Sequence, residues 1–184
     1  LLLCDFVYRT AHFGRSKNYC IYRLTACYTL FYYKFIERDD SRDKNWWSNN
    51  FDSPAVLSWM GFAYELVCLK QINNIKKAMG ISGIATSVSS WRGKDGDNAG
   101  AQIDLVIDRA DRYVNLCEIK FSKNQYNLSS EYEDRLRRRM ALFEAATKTC
   151  KSVVTTFITT YGVLGGADRS IVHNDLTIDD LFAL

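Results

Sequence analysis

Proline occurs once in the 184 residues, at Pro54, and histidine twice, at His12 and His173. Neither histidine has a companion at metal-like or triad-like spacing, so zinc centres and His-dependent nucleophilic chemistry find little material here. The six cysteines, Cys4, Cys20, Cys27, Cys68, Cys117 and Cys150, form no CxxC pair. Several lie in apolar runs, as reduced thiols do in cytoplasmic proteins, so a cytoplasmic location is expected. No run approaches the ~18 apolar residues of a membrane helix. The nearest, "YTLFYYKFI" at 28–36, is short and contains Lys34, so no membrane contact is expected. The opening "LLLC" has no basic leader and no cleavage-site pattern of a signal peptide, and the absence of an initiator methionine suggests a piece of a longer protein. A phosphate-binding GxxxxGK[ST] loop is missing too: "GRSK" at 14–17 and "GVLGG" at 162–166 do not qualify. Neither sign of charge dominates. With 24 basic and 21 acidic residues the net charge is +3, which permits a polyanionic partner without arguing for one.

What is present is a chain long enough for one ordinary core, 47% hydrophobic and 24% charged. Residues 3–24 read as a hairpin turning at "HFGRSKN". "TACYTLFYYKFIE" follows with helical spacing, and Thr25 is its expected N-cap. The polar stretch 38–54 ends at the lone proline and marks a boundary. Beyond it the pattern predicts a long helix over 55–77 stopped near Gly80, then a strand "GIATSVSSW" and a loop "RGKDGDNAG". Two strands follow in 101–122, then a charged helix over 129–148 capped by Ser129 or Ser130. The β-branched strand "SVVTTFITTYG" comes next, and a short strand with a final helical turn closes the chain. The order α-β-β-β-α-β predicts an α/β fold, a mixed sheet flanked by helices.

Three elements of this order break their apolar pattern with charge. Asp104 sits among Ile103, Leu105, Val106 and Ile107; Glu118 and Lys120 alternate with Cys117, Ile119 and Phe121. Alternation puts Glu118 and Lys120 on one face of their strand, and pairing of the two strands predicts Asp104 at the same end of that face. On the preceding helix, Phe62, Leu66, Leu69 and Ile72 define the expected buried stripe, with Glu65 inside its arc and Tyr64 elsewhere on the wheel. A core-facing carboxylate is costly unless it is paired, hydrogen-bonded or bound to an ion. Two or three carboxylates beside a lysine suit Mg²⁺ (or Mn²⁺) and metal-assisted phosphodiester hydrolysis. Asp104, Glu118 and Glu65 are the candidate metal ligands, and Lys120 the group that orients water and offsets charge developing on phosphate.

Asp104 with "EIK" (Glu118, Ile119, Lys120), and Glu65 upstream, resembles the PD-(D/E)XK nuclease superfamily. The resemblance implies a restriction-endonuclease-like αβββαβ domain over 55–184. A wider similarity covers "FGRSKNYCIYRLTACYTLFYYKFI", "WWSNNFDSPAVLSWMGFAYELVCL", "GISGIATSVSSWRGK", "AQIDLVIDR", "NLCEIKFS" and "TTYGV". These look like the C-terminal region of bacterial and archaeal-type AAA+ ATP-binding proteins. That likeness implies a partial winged helix over residues 1–45, made of the wing hairpin and following helix. It also implies an upstream ATPase module as partner. Nucleic acid, with DNA as the expected form, would be the substrate or ligand; Ser122, Lys123 and Tyr126, just after the motif, are placed to approach its phosphates.

Plainer readings stand beside these. Asp104 can end a strand near solvent, and Glu118 with Lys120 can form an exposed ion-paired face. Arg135, Arg138 and Arg139 can touch phosphate, or simply suit a helix with acids first and bases later. Trp46 and Trp47 can stack on bases or fold back as a linker. The apolar face of 28–36 can be an interface, including one with a second copy of the chain. Even a formed carboxylate site can belong to a non-catalytic regulatory or interaction domain.

Overall fold

The computed structural model describes residues 7–15, 19–37, 43–94, 100–165 and 167–183. Parts of the expected hairpin (3–6 and 16–18), of the polar stretch (38–42) and of the glycine-containing loop (95–99) lie outside them.

One mixed seven-stranded sheet organises the described residues. Its strands are β1 (Val7–His12), β2 (Cys20–Leu24), β3 (Thr86–Lys94), β4 (Gly100–Arg109), β5 (Tyr113–Lys120), β6 (Ser152–Thr159) and β7 (Val172–Leu176). Their order across the sheet is β2-β1-β3-β4-β5-β6-β7. The hairpin β1–β2 joins this sheet: β1 runs parallel to β3, with Ala11 opposite Ser89 and His12 opposite Ser90. β3, β4 and β5 are antiparallel, while β5, β6 and β7 run parallel.

The helices are α1 (Cys27–Phe31), α2 (Trp46–Asn50), α3 (Pro54–Lys70), α4 (Ile72–Ala78), α5 (Ser130–Thr147) and α6 (Ile178–Phe182). α1 runs on into a π-helical turn, Tyr32–Ile36, and its N-cap is Ala26 without a side-chain cap, so Thr25 does not cap it. Pro54 opens α3, where its missing N–H costs nothing, and Ser53 Oγ accepts from the Val56 amide at 3.3 Å. The single helix expected over 55–77 breaks at Gln71, which leaves helical geometry at φ −96° and ψ 25°. Ser129 caps α5, and Lys148 ends it in the left-handed region at φ 51°.

Two layers cover the sheet. On one face Tyr64, Cys68 and Leu69 of α3, Ile75 of α4 and Leu181 of α6 pack on Leu105, Ile107, Cys117, Ile158 and Leu176. On the other, Phe143 of α5 packs with Trp91, Ile103, Val106, Val114 and Leu116. Leu66 and Leu69 of the expected stripe are buried, but Tyr64 is buried at 5% exposure while Phe62 is 42% exposed, the reverse of the expectation for those two. Burial of both the Tyr64–Cys68 row and the Leu66–Leu69 row shows that α3 is covered on more than one side. A pattern of apolar residues all round cannot reveal which row meets the sheet.

β4 contains an irregularity that shapes the candidate site. Ser89 pairs with Val106, but Trp91 pairs with Ile103, so β4 advances three residues while β3 advances two. One extra residue is therefore accommodated at Asp104–Leu105, as in a β-bulge. The bulge resets the alternation: Ile103 and Val106 both join the α5 layer, and Leu105 and Ile107 join the α3 layer.

Candidate carboxylate site

The structure divides the four expected residues between the two faces of the sheet. On the α3 side, Arg23 of β2 reaches two carboxylates at once. Its Nη1 lies 2.9 Å from Glu65 Oε1 and its Nη2 donates to Asp104 Oδ1 at 2.9 Å. The Gln102 amide also donates to Asp104 Oδ1. Glu65 is held above the ordinary carboxylate range, first by burial and then by the negative charge of Asp104. Arg23 and Lys120 pull the other way, and Glu118 adds a smaller upward push.

On the α5 side, Glu118 is buried with three donors. The Tyr132 hydroxyl donates to Oε1, Lys120 Nζ lies 2.9 Å from Oε1, and Arg139 Nη1 donates to Oε2 at 2.8 Å. Lys120 also sits 5.5 Å from the centre of the Tyr132 ring. Burial is the main cause that holds the Tyr132 phenol protonated, and the adjacent Glu118 charge adds to it. The neighbours of Glu118 explain its direction: Cys117 belongs to the α3-side cluster and Ile119 packs against it, so the residue between them faces α5. The expectation that Asp104, Glu118 and Lys120 share one face therefore fails at the bulge. Asp104 turns toward α3, while Glu118 and Lys120 turn toward α5.

The expected Mg²⁺ or Mn²⁺ would have to compete with Arg23 for Glu65 and Asp104. Among the described residues no group of three or more His, Cys, Asp or Glu comes together to hold a metal ion. Three carboxylates, Glu65, Asp104 and Glu118, meet three cations, Arg23, Lys120 and Arg139. On the α3 side two carboxylates share one guanidinium, and on the α5 side Glu118 meets two cations.

The residues expected to meet phosphate all have internal partners. The Ser122 amide donates to Thr160 Oγ1 at 3.0 Å and its hydroxyl to the Asn124 carbonyl at 2.6 Å. Lys123 pairs with Asp52 and lies over the Phe51 ring. Tyr126 is bridged to Val163, and its ring packs near Tyr132 and Phe157. Arg139 serves neither phosphate nor helix dipole first; it neutralises Glu118. Its place was available in the sequence, because Tyr132, Leu136, Arg139 and Phe143 share one helical face. Arg23 carried no such signal. It lies 81 residues from Asp104.

No helix among the described residues is long and apolar enough to cross a membrane. No protein-family model, no curated protein and no solved structure matches the chain.

Proposed function

We propose that this domain is a nuclease-derived, non-hydrolytic nucleic-acid-binding module, restriction-endonuclease-like in framework and carried by an ATPase-linked protein. The observation that supports the reading is the bridge from Arg23 to both Glu65 and Asp104. A cation-requiring hydrolase would have to expel this guanidinium before an ion could enter. It would leave Arg23 at 12% side-chain exposure without its counter-charges, and stranding a buried charge is strongly unfavourable. Glu118, with its three donors, is closed in the same way.

A second reading, Mg²⁺-dependent phosphodiester hydrolysis, has one observation in its favour: Asp104, Glu118 and Lys120 all act electrostatically on Glu65, so the two groups lie near each other through the sheet. One assay separates the two. Single-stranded, nicked and branched DNA, and RNA, are incubated with the protein in Mg²⁺ or Mn²⁺ beside Asp104→Ala and Lys120→Ala. The non-hydrolytic reading expects intact substrate in every lane and retained nucleic acid in a mobility shift. Cleavage by the wild type that both substitutions abolish would establish the hydrolase instead.

A further inference from the structure

Two adjoining cavities lie at the β2–β1–β3–β4 side of the sheet, away from Ser122 and Lys123. One has a volume of about 610 Å³ and is lined by Arg15, Arg92, Lys94 and Gln102, among others. The second, about 410 Å³, shares Arg15 and Arg92 and adds Tyr19. Arg15 and Arg92 line both hollows of this groove.

Its chemistry is one-sided. Among the described residues no carboxylate lines either cavity. Arg92 and Lys94 are exposed, and neither has a carboxylate partner among the described residues. The Arg15 guanidinium meets an aromatic face and, among the described residues, no carboxylate; it lies 5.4 Å from the centre of the Tyr19 ring. Tyr19 is itself 58% exposed. The groove leads to the carboxylate site, because Gln102 both lines it and donates to Asp104. Elsewhere Arg23, Lys120, Arg139 and Lys151 hold carboxylates. Three uncommitted cations around a hollow beside an exposed aromatic ring are the elements of a single-strand site, cations for phosphates and a ring for a base.

We propose that this groove binds the backbone of a single-stranded nucleic acid, with Arg15, Arg92 and Lys94 on successive phosphates and Tyr19 stacking on a base. The assignment rests on the nucleic-acid-binding reading above and gives it a location. Three phosphate contacts predict a slope of log K against log salt near about −2, or about 20-fold weaker binding between 50 and 200 mM salt.

The test is fluorescence anisotropy with labelled single-stranded DNA and RNA, each variant first checked for folding by circular dichroism. The pair Arg92→Gln with Lys94→Gln should weaken binding and flatten the slope to about −0.7, and Tyr19→Ala should weaken it with the slope unchanged. Loss on Lys123→Gln, with none on the Arg92 and Lys94 changes, would overturn the groove and leave nucleic-acid binding standing. Equal competition by polyglutamate would show an unspecific polyanion surface and overturn it. So would binding that emerges only when Asp95 and Asp97, between Lys94 and Gly100 in the sequence, are changed to asparagine. Absence of binding to any strand at 50 mM salt overturns groove and reading together, whereas cleavage in the assay above overturns only the non-hydrolytic reading.

Discussion

Replacing Arg23 by glutamine removes a cation that touches both Glu65 and Asp104, and the effect can be sized from the structure. The arginine side chain is 12% exposed, the two carboxylates 23% and 33%. Removing one partner of a buried ion pair costs ~3–5 kcal/mol. Partial access of water to both carboxylates returns some of that, so about 2–3 kcal/mol is expected at neutral pH. For a chain of this size each kcal/mol moves the melting temperature by ~2–4 °C, which puts the loss at about 5–10 °C.

The pH dependence identifies the cause. Glu65 is already held above its ordinary value of 4.5, and Arg23 is one of the two groups that lower it. Without Arg23 the carboxyl moves higher still. A group whose folded value is raised contributes stability that is complete below its unfolded value and is lost as pH rises through the folded one. The deficit of Arg23→Gln should therefore be small below the ordinary carboxylate range and grow as pH rises through the raised value of Glu65. Glu65→Gln added to Arg23→Gln should recover most of it at neutral pH. Calorimetric melts across that range measure both. A deficit that is the same at every pH and untouched by Glu65→Gln would refute the electrostatic reasoning and leave Arg23 as packing alone. In the wild type, millimolar Mg²⁺ should leave the melting temperature unchanged, because an ion bound only to the folded state raises it by mass action.

Three further expectations concern the frame around the site. Tyr132→Phe removes one of three donors to Glu118 and should cost about 1–2 kcal/mol in chemical denaturation, since Arg139 and Lys120 remain. Gly93→Ala places a methyl group against the buried Trp91 ring. Overpacking of that kind costs ~1–3 kcal/mol, readable as a lower denaturation midpoint with altered tryptophan emission. Thiol labelling with peptide mapping should find Cys20 reactive first, because its hydrogen bond with Arg9 lowers its pKa. Cys68, pushed up to about 12 by burial, and Cys117, raised for the same reason, should react only after unfolding.

Much of the frame was readable because its signals are local. Ser53 and Pro54 mark the start of α3, Ser129 caps α5, and β-branched runs mark β6. The α-β-β-β-α-β succession follows from those signals alone. The candidate site was readable only in its parts. Glu65, Asp104, Glu118 and Lys120 were noticed as charges in apolar settings, and all four are ion-paired. Their grouping was not readable, because strict alternation assumes a regular ladder. A single extra residue at Asp104–Leu105 moves one carboxylate to the other face, and no residue type there announces a bulge. The exchange of Phe62 for Tyr64 has a similar origin: α3 is apolar on several sides, so its sequence cannot name the row that meets the sheet.

Arg23 shows why tertiary docking decides what the carboxylates can do. Glu65 and Asp104 stand on an unconnected helix and strand, and the charge of Asp104 raises the cost of ionising Glu65. What joins them is carried on β2, the edge strand, which reaches the rest of the sheet through β1. β1 in turn meets β3 over only two residue pairs, reinforced by the Arg92 amide donating to His12 Nε2 at 3.2 Å and the Phe13 amide to the Ser90 carbonyl at 2.7 Å. The bridge between the two carboxylates thus depends on a short ladder remote from them in the sequence. Arg92 belongs at once to that ladder through its amide and to the basic groove through its side chain.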